Sequence, residues 1–154
     1  MRVAISSCLL GVPARYDGGS KPCDEVIELA KKVEVCRVCP ETASGLPVPR
    51  PPAEQRDGRV FLSDGTDVTE DFARGSELCL KAVHRAQPTL AVLKAKSPSC
   101  GVGLDYDGTY SGRLIPGQGV FAERLEREGI CVVTENTVKA CKPSVEHPVA
   151  IVLG

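Results

Sequence analysis

"TLAVLKAKSPSCG" (89–101) is the stretch on which the fold turns. Its first half is a short run of apolar, partly branched residues, the pattern of a strand buried on both faces. Its second half is a loop in which two serines bracket a proline and a cysteine follows. The arrangement occurs twice more upstream: "RVAIS" (2–6) leads to Cys8, and "VEVCRV" (33–38) leads to Cys39 and Pro40.

Working outward, the segments between these runs have helical character. "PCDEVIELAKK" (22–32) has Pro near its start, acids in its first turn and lysines at its end, which are helix start and stop signals. "TEDFARGSELCLKAVHRA" (69–86) is the longest expected helix, with Thr69 as its cap and Phe72, Cys79, Val83 and Ala86 on one face. A helix over "VFAERLERE" (120–128) and a strand over "ICVVT" (130–134) follow. "DGRVFLSDGTDV" (57–68) and "YDGTYSG" (106–112) carry Asp-Gly turns and read as small hairpins. Strand–helix alternation with apolar strands predicts an α/β fold: a single Rossmann-like three-layer domain with a mostly parallel sheet. Ligands of such sheets bind beyond the carboxyl ends of the strands. Three loops would therefore bring Cys8, Cys39 and Cys100 to one rim.

A chain of 154 residues is expected to form one domain over 1–154, with enough burial for a core that needs no staples. With 19 basic and 20 acidic residues and no basic stripe, strong binding to a nucleic-acid backbone is not expected. The N-terminal apolar run is too short for a signal-peptide core, and no run reaches the ~18 apolar residues of a membrane span. The expectation is a cytoplasmic protein without membrane partners, its thiols reduced. Its eight cysteines then need a reason other than a disulfide framework.

Cys23, Cys79 and Cys131 fall on apolar helix or strand positions and are expected to be structural, since cysteine packs as a small hydrophobe. Cys141 lies in a stretch without a periodic pattern. "CRVC" (36–39) is a single pair, whereas a closed zinc site usually needs two. A thioredoxin-like motif should open a helix, but Pro40 and "SGLPVPRPP" (44–52) predict an irregular loop. Three lone loop cysteines suit a cluster with one open position, although iron–sulfur clusters usually have four thiolates; a lone nucleophilic thiol is the rival reading.

Glu41, two residues after Cys39, would place a carboxylate where it can move a proton; an ordinary loop carboxylate is the bland alternative. Ser97 and Ser99 either bond loop amides or face a substrate. Arg15, Arg50, Lys94 and Lys96 flank the same loops and could hold an anionic group, although each by itself reads as a solvated charge. "IPGQG" (115–119) would aim helix N-terminal amides at the site. His84 and His147 have no ligand spacing and are assigned no role.

Five stretches, "SSCLLGVPARYDG" (6–18), "CPETASGLPVPRPPAE" (39–54), "DGTDVTEDFARGSE" (64–77), "LKAKSPSCG" (93–101) and "YDGTYSGRLIPGQGVFAERLEREGI" (106–130), together resemble the thiouracil desulfidase family. The resemblance runs from about Val3 to Glu135, with 136–154 as a C-terminal extension. It implies an oxygen-sensitive 4Fe-4S cluster held by Cys8, Cys39 and Cys100, with one iron not ligated by protein. It also implies catalytic roles for Glu41 and Ser97, and removal of sulfur from a small thiolated pyrimidine such as 2-thiouracil, giving uracil and sulfide. Ser44 departs from the family pattern, which more often has glycine there, and Cys36 lies outside it. Sulfur transfer to a nucleoside or tRNA base, and a non-catalytic iron- or oxygen-sensing module, are the alternatives. The sequence does not address oligomeric state.

Overall fold

A computed structural model describes residues 1–141; His147 and the rest of 142–154 lie outside the described residues. The order is β1 (Arg2–Ser6), a 3-10 turn (Ser7–Leu10), α1 (Asp24–Ala30), β2 (Glu34–Val38), α2 (Pro40–Ala43), β3 (Ala53–Arg56) and β4 (Arg59–Leu62). It continues with α3 (Thr69–Ala86), β5 (Leu90–Leu93), β6 (Leu104–Tyr106), β7 (Leu114–Pro116), α4 (Val120–Arg127), β8 (Cys131–Thr134) and α5 (Glu135–Cys141).

All four positions of β5 are buried, because this strand lies inside a parallel four-stranded sheet of order β2-β1-β5-β8. Side chains alternate between the two faces of a strand, and the core divides accordingly. Ala4, Ala91 and Leu93 pack with Leu80, Val83, Phe121 and Leu125 of α3 and α4. Val3, Ile5, Leu90 and Val92 pack with Val26, Leu29 and Val138 of α1 and α5. Helices thus cover both faces, the Rossmann-like three-layer arrangement expected from the alternation. β3–β4 and β6–β7 are separate antiparallel hairpins outside this sheet.

Three local expectations are corrected. The segment after Cys39 opens a short helix, α2, instead of an irregular loop: Pro40 stands at its first position, where a missing N–H costs nothing. Thr69 does not cap α3; its hydroxyl donates to Asp67 and accepts the Val60 amide, while Asp67 takes the Thr69 amide. Cys131 is exposed, so it does not pack as a small hydrophobe, whereas Cys23 and Cys79 do. Part of the expected C-terminal extension, through Cys141, is helix α5, whose Val138 is fully buried.

The α2–α3 contact depends on one missing side chain. A Cβ on Gly75 of α3 would lie 1.9 Å from the Pro40 carbonyl oxygen. Alanine would gain ~1 kcal/mol in helix propensity, but the clash is with backbone, so α2 must move, and overpacking typically costs ~1–3 kcal/mol. Gly75→Ala should therefore lower the urea midpoint. A variant as stable as wild type would show that α2 yields without cost.

Candidate functional site

The switch point of the sheet lies between β1 and β5: from β1 the chain crosses one way to β2, and β5 and β8 lie on the other side. Crevices at such points, beyond the strand carboxyl ends, are the ligand sites of parallel sheets. The 3-10 turn after β1 carries Cys8, Cys39 directly follows β2, and the loop after β5 carries Ser97, Ser99 and Cys100.

Several bonds draw these loops together. Ser7 Oγ donates to the Val38 carbonyl at 3.1 Å, joining the ends of β1 and β2. Ser6 Oγ accepts the Lys94 amide at 3.0 Å, joining the ends of β1 and β5. Cys39, the residue before α2, has its Sγ 2.9 Å from Thr42 Oγ1 of that helix. Cys8, Cys23, Cys36, Cys39, Cys79, Cys100 and Cys131 are free thiols.

Electrostatics show which thiols are neighbours. Burial and then Cys39 push the Cys8 thiol up to about 11, against the pull of Lys94 and Arg15. Burial pushes Cys100 up further; hydrogen bonds from Ser6 and Ser99 oppose this, while Cys39 and Glu41 reinforce it. Cys39 is thus the common neighbour of Cys8 and Cys100. Cys79 of α3 is also raised, to about 11, chiefly by burial and against the pull of the Cys39 main-chain amide. Among the described residues, no group of three or more His, Cys, Asp or Glu side chains is placed to hold a single metal ion. In a cubane each thiolate binds its own iron, so convergence on one ion is not the requirement. The donor set fits such a cluster: three soft thiols on three separate loops, of which Cys8 and Cys100 are made costly to ionise by burial and would be relieved by a cation.

Beside them runs a chain of polar contacts that reasoning from sequence only partly anticipated. The Glu41 carboxylate accepts Arg50 Nη2 at 3.2 Å through one oxygen and Ser99 Oγ at 3.0 Å through the other. The Arg50 side chain is 2% exposed, so it is no solvated charge; its guanidinium also donates to the carbonyls of Ala14 and Pro47. Ser97 reaches Glu41 through Ser99: their hydroxyls lie 3.0 Å apart, and Ser97 Oγ accepts the amides of Ser99 and Cys100. Ser44 is buried and bonds the Glu41 carbonyl and the Leu46 amide, so its hydroxyl shapes this turn.

Other candidates fall differently. The amides of Val120, Phe121 and Ala122 at the start of α4 donate to the carbonyls of Pro98 and Ser99. They hold the cysteine loop and are not open to a ligand. Lys94 pairs with the buried Glu135 at 3.5 Å, and both line a cavity of about 210 Å³ with Leu9, Lys96 and Lys139. Arg15 lies over the Tyr16 ring at 5.6 Å. His84 pairs with Glu128, outside the site. Among the described residues no helix is long and apolar enough to cross a membrane.

Comparison with known proteins fits this arrangement. Residues 3–137 match the model of the 2-thiouracil desulfurase family. An uncharacterized protein of Bacillus subtilis (strain 168), YbbK, is 34% identical over 144 residues, spanning 87% of this chain and 95% of its own. A solved structure of a [4Fe-4S]-dependent thiouracil desulfidase, TudS, superposes with a TM-score of 0.85 at 39% identity, covering 99% of each chain.

Proposed function

The chain belongs to the 2-thiouracil desulfurase family, and from that premise we propose that it is a 4Fe-4S-dependent desulfidase that hydrolyses a thiolated pyrimidine such as 2-thiouracil to uracil and sulfide. Cys8, Cys39 and Cys100 hold the cluster, leaving one iron without a protein ligand. The observation that carries the reading is the Glu41 carboxylate, tied to Arg50 and Ser99 on the rim where Cys39 neighbours both other thiols.

When bound, the cluster supplies a soft Lewis-acidic iron for a thiocarbonyl sulfur. The remaining work belongs to the chain. Glu41 accepts a proton from the water that adds to the thiocarbonyl carbon and returns one to the departing sulfur, so C=S and H₂O become C=O and H₂S without net electron transfer. Arg50, buried and donating to Glu41 and two carbonyls, fixes the carboxylate in place. Ser97 holds the amides of Ser99 and Cys100 and orients Ser99 toward Glu41.

The test is anaerobic reconstitution with iron and sulfide, then sulfide release measured over a panel of thiopyrimidines and thionucleosides. Equal amounts of sulfide and oxo-base, formed without a reductant, are expected. A full cluster that releases sulfide from no thiolated base would overturn the assignment in favour of a sensing module.

A further inference from the structure

The β3–β4 hairpin lies outside the sheet and carries none of the residues assigned above, yet one of its side chains ties the strand that follows the Cys100 loop to the segment packed against that loop. Gln55 Nε2 donates to Asp105 Oδ2 at 3.0 Å and to the Gln118 carbonyl at 2.8 Å. From Gln118 the chain passes to Gly119, whose amide donates to the Gly101 carbonyl at 2.8 Å. A Cβ there would lie 2.4 Å from the Ser99 carbonyl, so the two backbones are in direct contact and a shift at Gln118 is a shift at Ser99. Glu54, the neighbour of Gln55, fixes the other end of the second hairpin by accepting the amides of Gly108 and Tyr110.

Asp105 is an expensive choice for a merely structural joint. It is 4% exposed, and the donors that meet its carboxylate, Gln55 and the Tyr106 amide, are neutral. Glu54 of β3 and Glu41 of α2 face it with like charge. Arg56, Asp57 and Asp107 line the same cavity of about 290 Å³, but the Arg56 guanidinium lies over the Phe61 ring. A buried charge without a cation is costly, and asparagine would fill the space without one. Retained charges of this kind belong to sites where stability is traded for activity.

We propose that Gln55 and Asp105 are a positioning pair that sets the Ser99–Cys100 peptide against Glu41 through residues 118–122. This rests on the reading of Cys100 and Glu41 given above. Burial first, then Glu54 and Glu41, push the Asp105 carboxyl up from its ordinary 3.8 to about 6. The folded protein therefore binds this proton more tightly than the unfolded chain. Its stabilising contribution is complete below about pH 4 and is lost as pH rises through about 6.

The test uses Asp105→Asn and Gln55→Leu in the full chain. Asp105→Asn should gain stability relative to wild type at pH 8 compared with pH 4, by urea unfolding. In the reconstituted enzyme it should nevertheless lower kcat roughly 10- to 100-fold, the scale of a small misplacement of reacting groups, with KM little changed. Gln55→Leu should lower kcat alike, and the double variant should be no slower than the worse single one. In metal-free protein both variants should speed alkylation of Cys100, which is 5% exposed in the wild type. Wild-type kcat in Asp105→Asn overturns the proposal, and that variant decides alone if Gln55→Leu does not fold. If the wild type releases no sulfide from any thiolated base, the desulfidase reading fails. The pair is then judged by Cys100 alkylation, and an unchanged rate overturns it.

Discussion

Alanine at Cys8, Cys39 or Cys100, one at a time, is expected to abolish the visible iron–sulfur absorbance of anaerobically reconstituted protein. Each thiol comes from a different strand end, so no neighbour on the same loop can substitute for it. Cys36 precedes Cys39 by three residues but lies within β2, and its thiol, raised by burial, has Arg85 as its charged neighbour, pulling it back down. Cys36→Ala should therefore keep the cluster. So should Cys23→Ala and Cys131→Ala, the first loosening the core and the second, at an exposed position, changing little. Cys79→Ala is the most informative control, because Cys79 is buried against the Cys39 amide without belonging to the rim. Iron content and absorbance measured together decide the matter: a cluster retained in Cys8→Ala and lost in Cys36→Ala would refute the ligand assignment.

Glu41→Gln should leave the cluster intact while lowering the rate of sulfide release by ~10²–10⁴-fold, the usual contribution of general acid–base catalysis. The variant is chosen because the surrounding bonds can survive it. Arg50 can only donate, whereas a serine hydroxyl both donates and accepts. The amide oxygen of a glutamine can therefore face Arg50, its NH₂ can face Ser99, and the Ser99 hydroxyl can rotate to receive it. What disappears is the ionisable carboxylate. Ser97→Ala should cost less, since its hydroxyl acts on the loop amides and reaches Glu41 only through Ser99. An unchanged rate with a full cluster would remove Glu41 from the mechanism, and joint loss of iron and rate would make it structural.

The sheet was legible in the sequence because a strand buried on both faces leaves an uninterrupted apolar run, as at 90–93, and because α3 is long enough to show its period. Helix α2 was not legible: four residues opening on a proline carry no periodicity, and the prolines behind it argue for a loop. Helix α5 is also short, and its two buried residues, Glu135 and Val138, give no apolar stripe to read. At the site, the cysteines were legible as thiols placed just past strands, and Glu41 by its closeness to Cys39. Arg50 was not, because an arginine among prolines looks solvated until the fold brings Glu41 and two carbonyls around it. Ser99 could be named beside Ser97 but not told apart from it: two residues away and chemically identical, it differs only in which side of the loop faces Glu41. The pairing of Gln55 with Asp105 spans two hairpins, and no local pattern announces it.

The order of the sheet also bears on how the protein is made. One whole strand–helix crossover separates Cys8 from Cys39, and a hairpin with the 18-residue helix α3 separates Cys39 from Cys100. Thiols spaced that far apart meet only after parallel strands have paired, a non-local event preceded by the closure of long loops. A compact run of cysteines, as in small ferredoxins, can chelate iron while the chain is still disordered; the one close pair here, Cys36 and Cys39, is too few for that. In the proposed enzyme, cofactor insertion is therefore a late step of biogenesis, carried out on a finished scaffold. The folding rate is set by the polypeptide alone, and the bound cluster acts on the other limb, by holding the native state against unfolding.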